Sequence, residues 1–182
     1  MVLHLPKHYK FAILFAGVPG SGKSPIANYL SWNLGLPVFN NDVLRAEYKE
    51  DNGTFSVAGY EELRDDRLDA LALTGTNFIY DASVDRSAAR VAEWLDKNGY
   101  VSFVISLDLD KEFIEKLYVA KEYTQLDLLE EWYEQHDAFL NEYPEVPDVR
   151  INAKNFADRL TISLQSARAW VDSLTQVEQL EG

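Results

Sequence analysis

The 182-residue chain has no cysteine, one methionine and three histidines. Without a thiol there is no disulfide, no thiolate nucleophile and no cysteine-bound metal, and this usage suits an intracellular setting. His4, His8 and His136 have no carboxylates at ligand spacing along the sequence, so none is assigned to a metal. Long apolar runs are missing too. No stretch approaches the roughly 18 apolar residues of a membrane span, and the opening "MVLHLPKHYK" lacks the apolar core of a signal peptide. Positive charge is scarce: 17 Lys and Arg stand against 30 Asp and Glu, a formal charge of −13. Such a field repels a phosphate backbone, which argues against a long nucleic acid as partner. What remains is a cytoplasmic, membrane-free enzyme or binding protein. A chain of this length with 47% hydrophobic residues is expected to fold as one domain over residues 1–182.

Five apolar runs rich in β-branched and aromatic residues are present: "KFAILFA" (10–16), "PVFN" (37–40), "NFIYDA" (77–82), "YVSFVISL" (100–107) and "DVRIN" (148–152). The strongest are nearly continuous instead of alternating, as parallel strands covered on both faces are. Helical periodicity fills the gaps. Ile26, Tyr29, Leu30 and Leu34 mark one face of a first helix that Gly35 and Pro37 end. Further helices fit 57–73, 86–97, 110–121, 126–141 and 155–174, whereas "YKEDNGTFSVAGY" (48–60) reads as a loop. The expected fold class is therefore α/β, a doubly wound parallel sheet. Residues 108–148 hold thirteen acidic side chains against three lysines, which fits either a solvated helix pair or a mobile cover over a site. The tail "TQVEQLEG" (175–182) is expected to fray.

Gly17, Val18, Pro19, Gly20, Ser21, Gly22, Lys23 and Ser24 match the pattern G-x-x-x-x-G-K-[ST] at every specified position. Glycines let successive N–H groups turn inward at a helix start, forming an anion-binding nest reinforced by the helix dipole. Lys23 adds a cation for the outer phosphates, and the Ser24 hydroxyl can ligate Mg2+ bound to them. Chance alone produces this pattern in on the order of one in a hundred chains of this length. Its position between a buried strand and a helix is the context a phosphate loop requires. A dinucleotide fingerprint read from Gly20 would need glycine where Pro25 stands.

In a parallel α/β sheet, ligands bind beyond the carboxyl ends of the strands. After the second strand, Asp42 and Arg45 in "NNDVLRAEY" share a helix face if the helix starts there; the alternative is that Asp42 only caps that helix. At the third strand's end, Asp81 in "FIYDAS" can hold the magnesium shell or be a merely buried carboxylate. The motifs "GVPGSGKS", "DVLR" and "FIYDASVDRSAAR" together resemble the P-loop kinases of the polynucleotide-kinase-like group, with their zeta-toxin and chloramphenicol-phosphotransferase relatives. The resemblance covers the first half of the chain well and the second half by element order. It implies a three-layer fold with five parallel strands in the order 2-3-1-4-5, a helical lid over about 110–145, ATP (with GTP as the other choice) and Mg2+ as cofactors, and a small-molecule or nucleotide acceptor. It further implies Asp42 as the base accepting the acceptor's proton, Arg45 as an acceptor contact, and a pocket between strands two and three with Arg45, Tyr48, Phe55, Tyr60 and Arg64 as lining candidates, core or surface packing being the alternative for Phe55, Tyr60 and Arg64. Arg86 and Arg90 match arginines found after the third strand in the family, structural or catalytic.

Two departures stand out. The family's lid carries arginines, but no arginine lies between Arg90 and Arg150. The lid segment offers Lys116 and Lys121, point cations without the planar fork that grips two phosphate oxygens. Pro25 also replaces a residue that in the family gives its N–H, and often a hydroxyl, to the α-phosphate; proline gives neither. It further biases Ser24 away from helical angles. The sequence therefore leaves three readings: a kinase acting on a hydroxyl, a nucleotide-binding regulatory protein, and a simple NTP hydrolase.

Overall fold

The computed structural model describes residues 9–124 and 126–181, with side chains through 176. Strands β1 (Lys10–Ala16), β2 (Val38–Asn40), β3 (Phe78–Ser83), β4 (Tyr100–Leu107) and β5 (Val149–Ile151) pair in parallel throughout. Their order is β2-β3-β1-β4-β5, the expected one. Central β1 is flanked on both edges and both faces, so Phe11 through Ala16 are all buried. That double burial is why its sequence reads as an unbroken apolar run.

The helices are α1 (Lys23–Leu34), α2 (Asn41–Asn52), α3 (Val57–Thr74), α4 (Ala88–Asn98), α5 (Lys111–Ala120), α6 (Leu129–Glu142) and α7 (Arg159–Glu181). Alternate β1 side chains sort them into layers. Phe11, Ile13 and Phe15 pack with Ile26, Leu30 and Leu34 of α1 and with Leu164, Ala167 and Val171 of α7. Ala12, Leu14 and Ala16 face Leu68 and Ala72 of α3, Leu95 of α4 and Phe139 of α6. Each fully buried Leu, Ile or Phe stabilises the fold by about 1.5–3 kcal/mol, so β1 and its two helix layers form the energetic centre. The loops beyond its carboxyl end start from a rigid base.

Two expectations are corrected. Tyr29 is not on the core face of α1: it is 36% exposed, and Ala27 is buried instead. At 100° per residue the stripe Ile26, Ala27, Leu30 and Leu34 is centred about 115° from Tyr29. The proposed loop 48–60 shrinks to residues 53–56, because α2 runs on to Asn52 and α3 starts at Val57. Tyr48 of α2 lies over Gly59 of α3, where an added Cβ would fall on its hydroxyl. This tertiary contact prevails over the turn-forming composition. Helix α7 runs to Glu181; Gly182 lies outside the described residues, as do His4 and His8.

Candidate active site

The loop between β1 and α1 owes its shape to three glycines: Gly17, Gly20 and Gly22 have φ of 128°, 76° and 103°, a region L side chains avoid. Gly20 is constrained twice, since a Cβ there would also sit 2.5 Å from the ring of Tyr118. Helix α1 starts at Lys23, which places Ser24 within it despite the proline that follows. Pro25 is the third helical residue, where no N–H has an intrahelical partner, so the fold accepts it without losing a helix bond. The Lys23 ammonium folds back on the loop, donating to Gly17 O at 2.7 Å and Val18 O at 2.8 Å. Burial lowers its pKa to about 8, with Asp85 and Asp81 opposing the fall.

Beyond β2 and β3 the polar side chains converge on the same space. Ser24 Oγ donates to Asp81 Oδ1 at 3.1 Å, and Asn40 Nδ2 donates to Asp81 Oδ2 at 2.6 Å. Asp81 itself is 7% exposed; burial raises its pKa, opposed by Ser24 and Lys23. Asn40, not Asp42, caps α2, its Oδ1 accepting from the N–H groups of Asp42 and Val43. The Asp42 carboxylate is thereby left 89% exposed, with Arg45 Nη1 3.4 Å away. Arg45 in turn lies over the ring of Tyr60, 5.1 Å from its centroid, and Arg64 sits 5.6 Å from the same ring.

One cavity of about 410 Å³ joins these groups: Pro19, Gly20, Gly22, Lys23, Ser24 and Pro25 from the loop, then Asn41, Asp42, Arg45, Asp81, Ser83, Arg86, Lys121 and Tyr123. Of the further lining candidates, Tyr48, Phe55, Tyr60 and Arg64 do not border it. Tyr60 is 3% exposed and serves as the platform beneath Arg45. Arg86 borders the cavity, whereas Arg90 turns away to pair with Asp65.

The acidic segment contributes unevenly. Lys121 reaches the cavity and donates to Gly20 O at 2.7 Å; burial and then Arg159 lower its pKa. Tyr118 donates to Pro19 O at 2.8 Å. Lys116 points elsewhere, exposed and bonded to Glu112 at 2.6 Å one helical turn away. Helix α5 presents its Ile114 and Tyr118 stripe inward, and that orientation carries Lys116 to the outside. The segment buries Ile114, Tyr118, Leu129, His136 and Phe139, while most of its acidic side chains are exposed.

The sequence reading missed one cluster. His136 of α6 does meet carboxylates in space: its Nδ1 lies 3.1 Å from Asp85 Oδ2 and its Nε2 3.3 Å from Asp108 Oδ1. Burial alone would lower its pKa, but Asp108 and Asp85 outweigh that and raise it from 6.5 to about 9. Asp85 and Asp108 stand just past β3 and β4, where the strand-end rule points. His136, on a helix, carries no local signal. No cluster of metal-binding type is found among the described residues.

No protein-family model matches the chain, and no curated protein matches it by sequence. Solved structures do resemble it. A gluconokinase from Sinorhizobium meliloti aligns with TM-score 0.61 at 17% identity, over 97% of this chain and 99% of its own. A sugar kinase from a Janibacter species aligns with TM-score 0.63 at 20% identity, over 92% and 98%. The tunicamycin resistance protein of Deinococcus radiodurans follows with TM-score 0.61 at 19% identity, over 87% and 94%. Glycine-rich loop, parallel strand order and strand-end cavity agree with that likeness: the chain has the fold of the P-loop kinases.

Proposed function

We propose that the protein is a kinase that transfers the γ-phosphoryl group of ATP to a hydroxyl of a small polar molecule. The observation that carries this reading is the exposed Asp42 carboxylate, released from helix capping by Asn40, in one cavity with Lys23, Ser24 and Asp81. The Gly17 to Ser24 loop holds the phosphates, with Lys23 leaving its carbonyl partners for the outer phosphate oxygens. Ser24 and Asp81, two oxygen ligands 3.1 Å apart, suit Mg2+, which would neutralise charge on the triphosphate. In the transfer, the acceptor oxygen forms its bond to the γ-phosphorus while the bond to the β,γ-bridging oxygen breaks. Asp42 accepts the hydroxyl proton, and ADP takes the electron pair of the broken bond. Arg45, placed over the Tyr60 ring, and Arg86 orient the acceptor, and Lys121 supplies the lid's positive charge. The gluconokinase and sugar kinase likenesses favour a polyhydroxylated acceptor.

Asp42→Asn tests the reading. Against a panel of sugars, sugar acids and nucleosides, it should lower transfer by about 10² to 10⁴ while leaving nucleotide affinity within about twofold. Loss of binding instead would make Asp42 a structural residue. A second reading, nucleotide binding without transfer, is favoured by Lys121 being tied to Gly20 O in a lid without arginine. It requires saturable ATP binding and no product with any acceptor.

A further inference from the structure

The cluster around His136 takes no part in the chemistry above, yet it ends on the phosphate loop. Both Asp85 carboxylate oxygens lie 3.1 Å from Gly17 N, which donates to them. Gly17 is also held on its other side, its carbonyl accepting from Ser83 Oγ at 2.9 Å and from Lys23 Nζ at 2.7 Å. His136 is 3% exposed and Asp85 5%. Behind His136, Asp108 is anchored by Arg150 Nη1 at 2.8 Å and by the Ser106 hydroxyl. Groups from four elements thus face the imidazole or its partners: Asp85 after β3, Asp108 after β4, Arg150 on β5, and Lys23 on α1.

We infer that Asp85 and His136 are positioning residues of the phosphate loop, the imidazolium holding the Asp85 carboxylate against the Gly17 amide so that the loop's first turn is fixed before phosphate arrives. The reason lies in charge. A buried carboxylate beside a triphosphate site repels the ligand, and unpaired it gives up its charge by taking a proton. A protonated carboxyl no longer presents two acceptor oxygens to one amide. With His136 and Arg150 against Asp85 and Asp108, the cluster pairs two groups of each sign, so it adds no net repulsion toward the ligand. Its members sit on α6, β5 and the ends of β3 and β4, so the loop's entry is tied to the packed body and to the acidic segment.

The inference rests on the reading that the loop holds a polyphosphate, and its test separates the two. Inorganic tripolyphosphate is titrated calorimetrically into the wild type, His136→Gln and Asp85→Asn, at a temperature where all are folded, and Gly17 amide exchange is followed by NMR without ligand. The expected result is about tenfold weaker binding in either variant, the size of one charge-assisted hydrogen bond, with Gly17 exchange accelerated beyond that of the central β1 amides. Affinities within about twofold of the wild type, with only the melting temperature lowered, would overturn it and leave the cluster a fold-stabilising one. Should the wild type bind no tripolyphosphate, the polyphosphate reading fails. Gly17 exchange then decides the positioning role alone, unchanged protection in both variants overturning it. If His136→Gln does not fold, the near-isosteric Asp85→Asn carries both measurements.

Discussion

Pro25 is a single residue whose cost falls on the ligand and not on the fold. As the third residue of α1 it removes an N–H that no helix carbonyl would have accepted, but that N–H is one a bound α-phosphate could use. Pro25→Thr should therefore raise ATP affinity about tenfold, the value of one hydrogen bond to a charged group, with little change in melting temperature. An unchanged Kd by calorimetry would mean that another group already serves that oxygen. Gly20 is the opposite case. With φ of 76° and Tyr118 against its missing side chain, Gly20→Ala should cost about 1–3 kcal/mol in urea unfolding and weaken nucleotide binding, because the ring behind it cannot swing aside.

Helix α2 is the element the sequence hid. Its residues "NDVLRAEYKEDN" bury only Leu44, so no apolar stripe announces a helix, and Asn, Asp and Gly nearby suggest a loop. What makes it helical is its start and its packing. Asn40 caps it through two N–H groups and also holds Asp81, while Tyr48 lies over Gly59 of α3. Asn40→Ala should destabilise the protein by about 1–2 kcal/mol and reduce transfer more than a mild loss of stability explains, since Asp42 and Asp81 both lose their fixed reference. Gly59→Val should push Tyr48 away and lower the melting temperature while leaving tripolyphosphate binding intact, because the α2–α3 contact lies outside the phosphate loop. Comparing the two variants by thermal unfolding and binding separates cap from contact.

Across the whole molecule, the buried charge cluster links stability to pH. His136 holds its proton more tightly folded than unfolded, its pKa raised from 6.5 to about 9, so the protonated form favours the native state. That contribution is fully present below about pH 6.5 and lost as pH rises through 9, on the order of 3 kcal/mol over the interval. Asp108, whose pKa its partners hold below the usual value against the effect of burial, works in the other direction and withdraws support only in acid. Lys23, with its folded pKa lowered to about 8, adds stability to both proteins as pH rises above that value, so the readout is the difference: urea unfolding from pH 6 to 10 should show the stability advantage of the wild type over His136→Gln shrinking as pH rises. Much of this protein was legible in its residues in order: the phosphate loop, five strands with the central ones buried, and the carboxylates at strand ends follow from backbone sterics and burial period, which neighbouring residues encode. The site's composition was not. Which lysine faces the cavity, which residue caps α2, and that His136 meets two aspartates depend on how helices α2, α5 and α6 rotate and pack. Those rotations are set by apolar contacts between residues far apart in the chain, and only the folded structure brings them together.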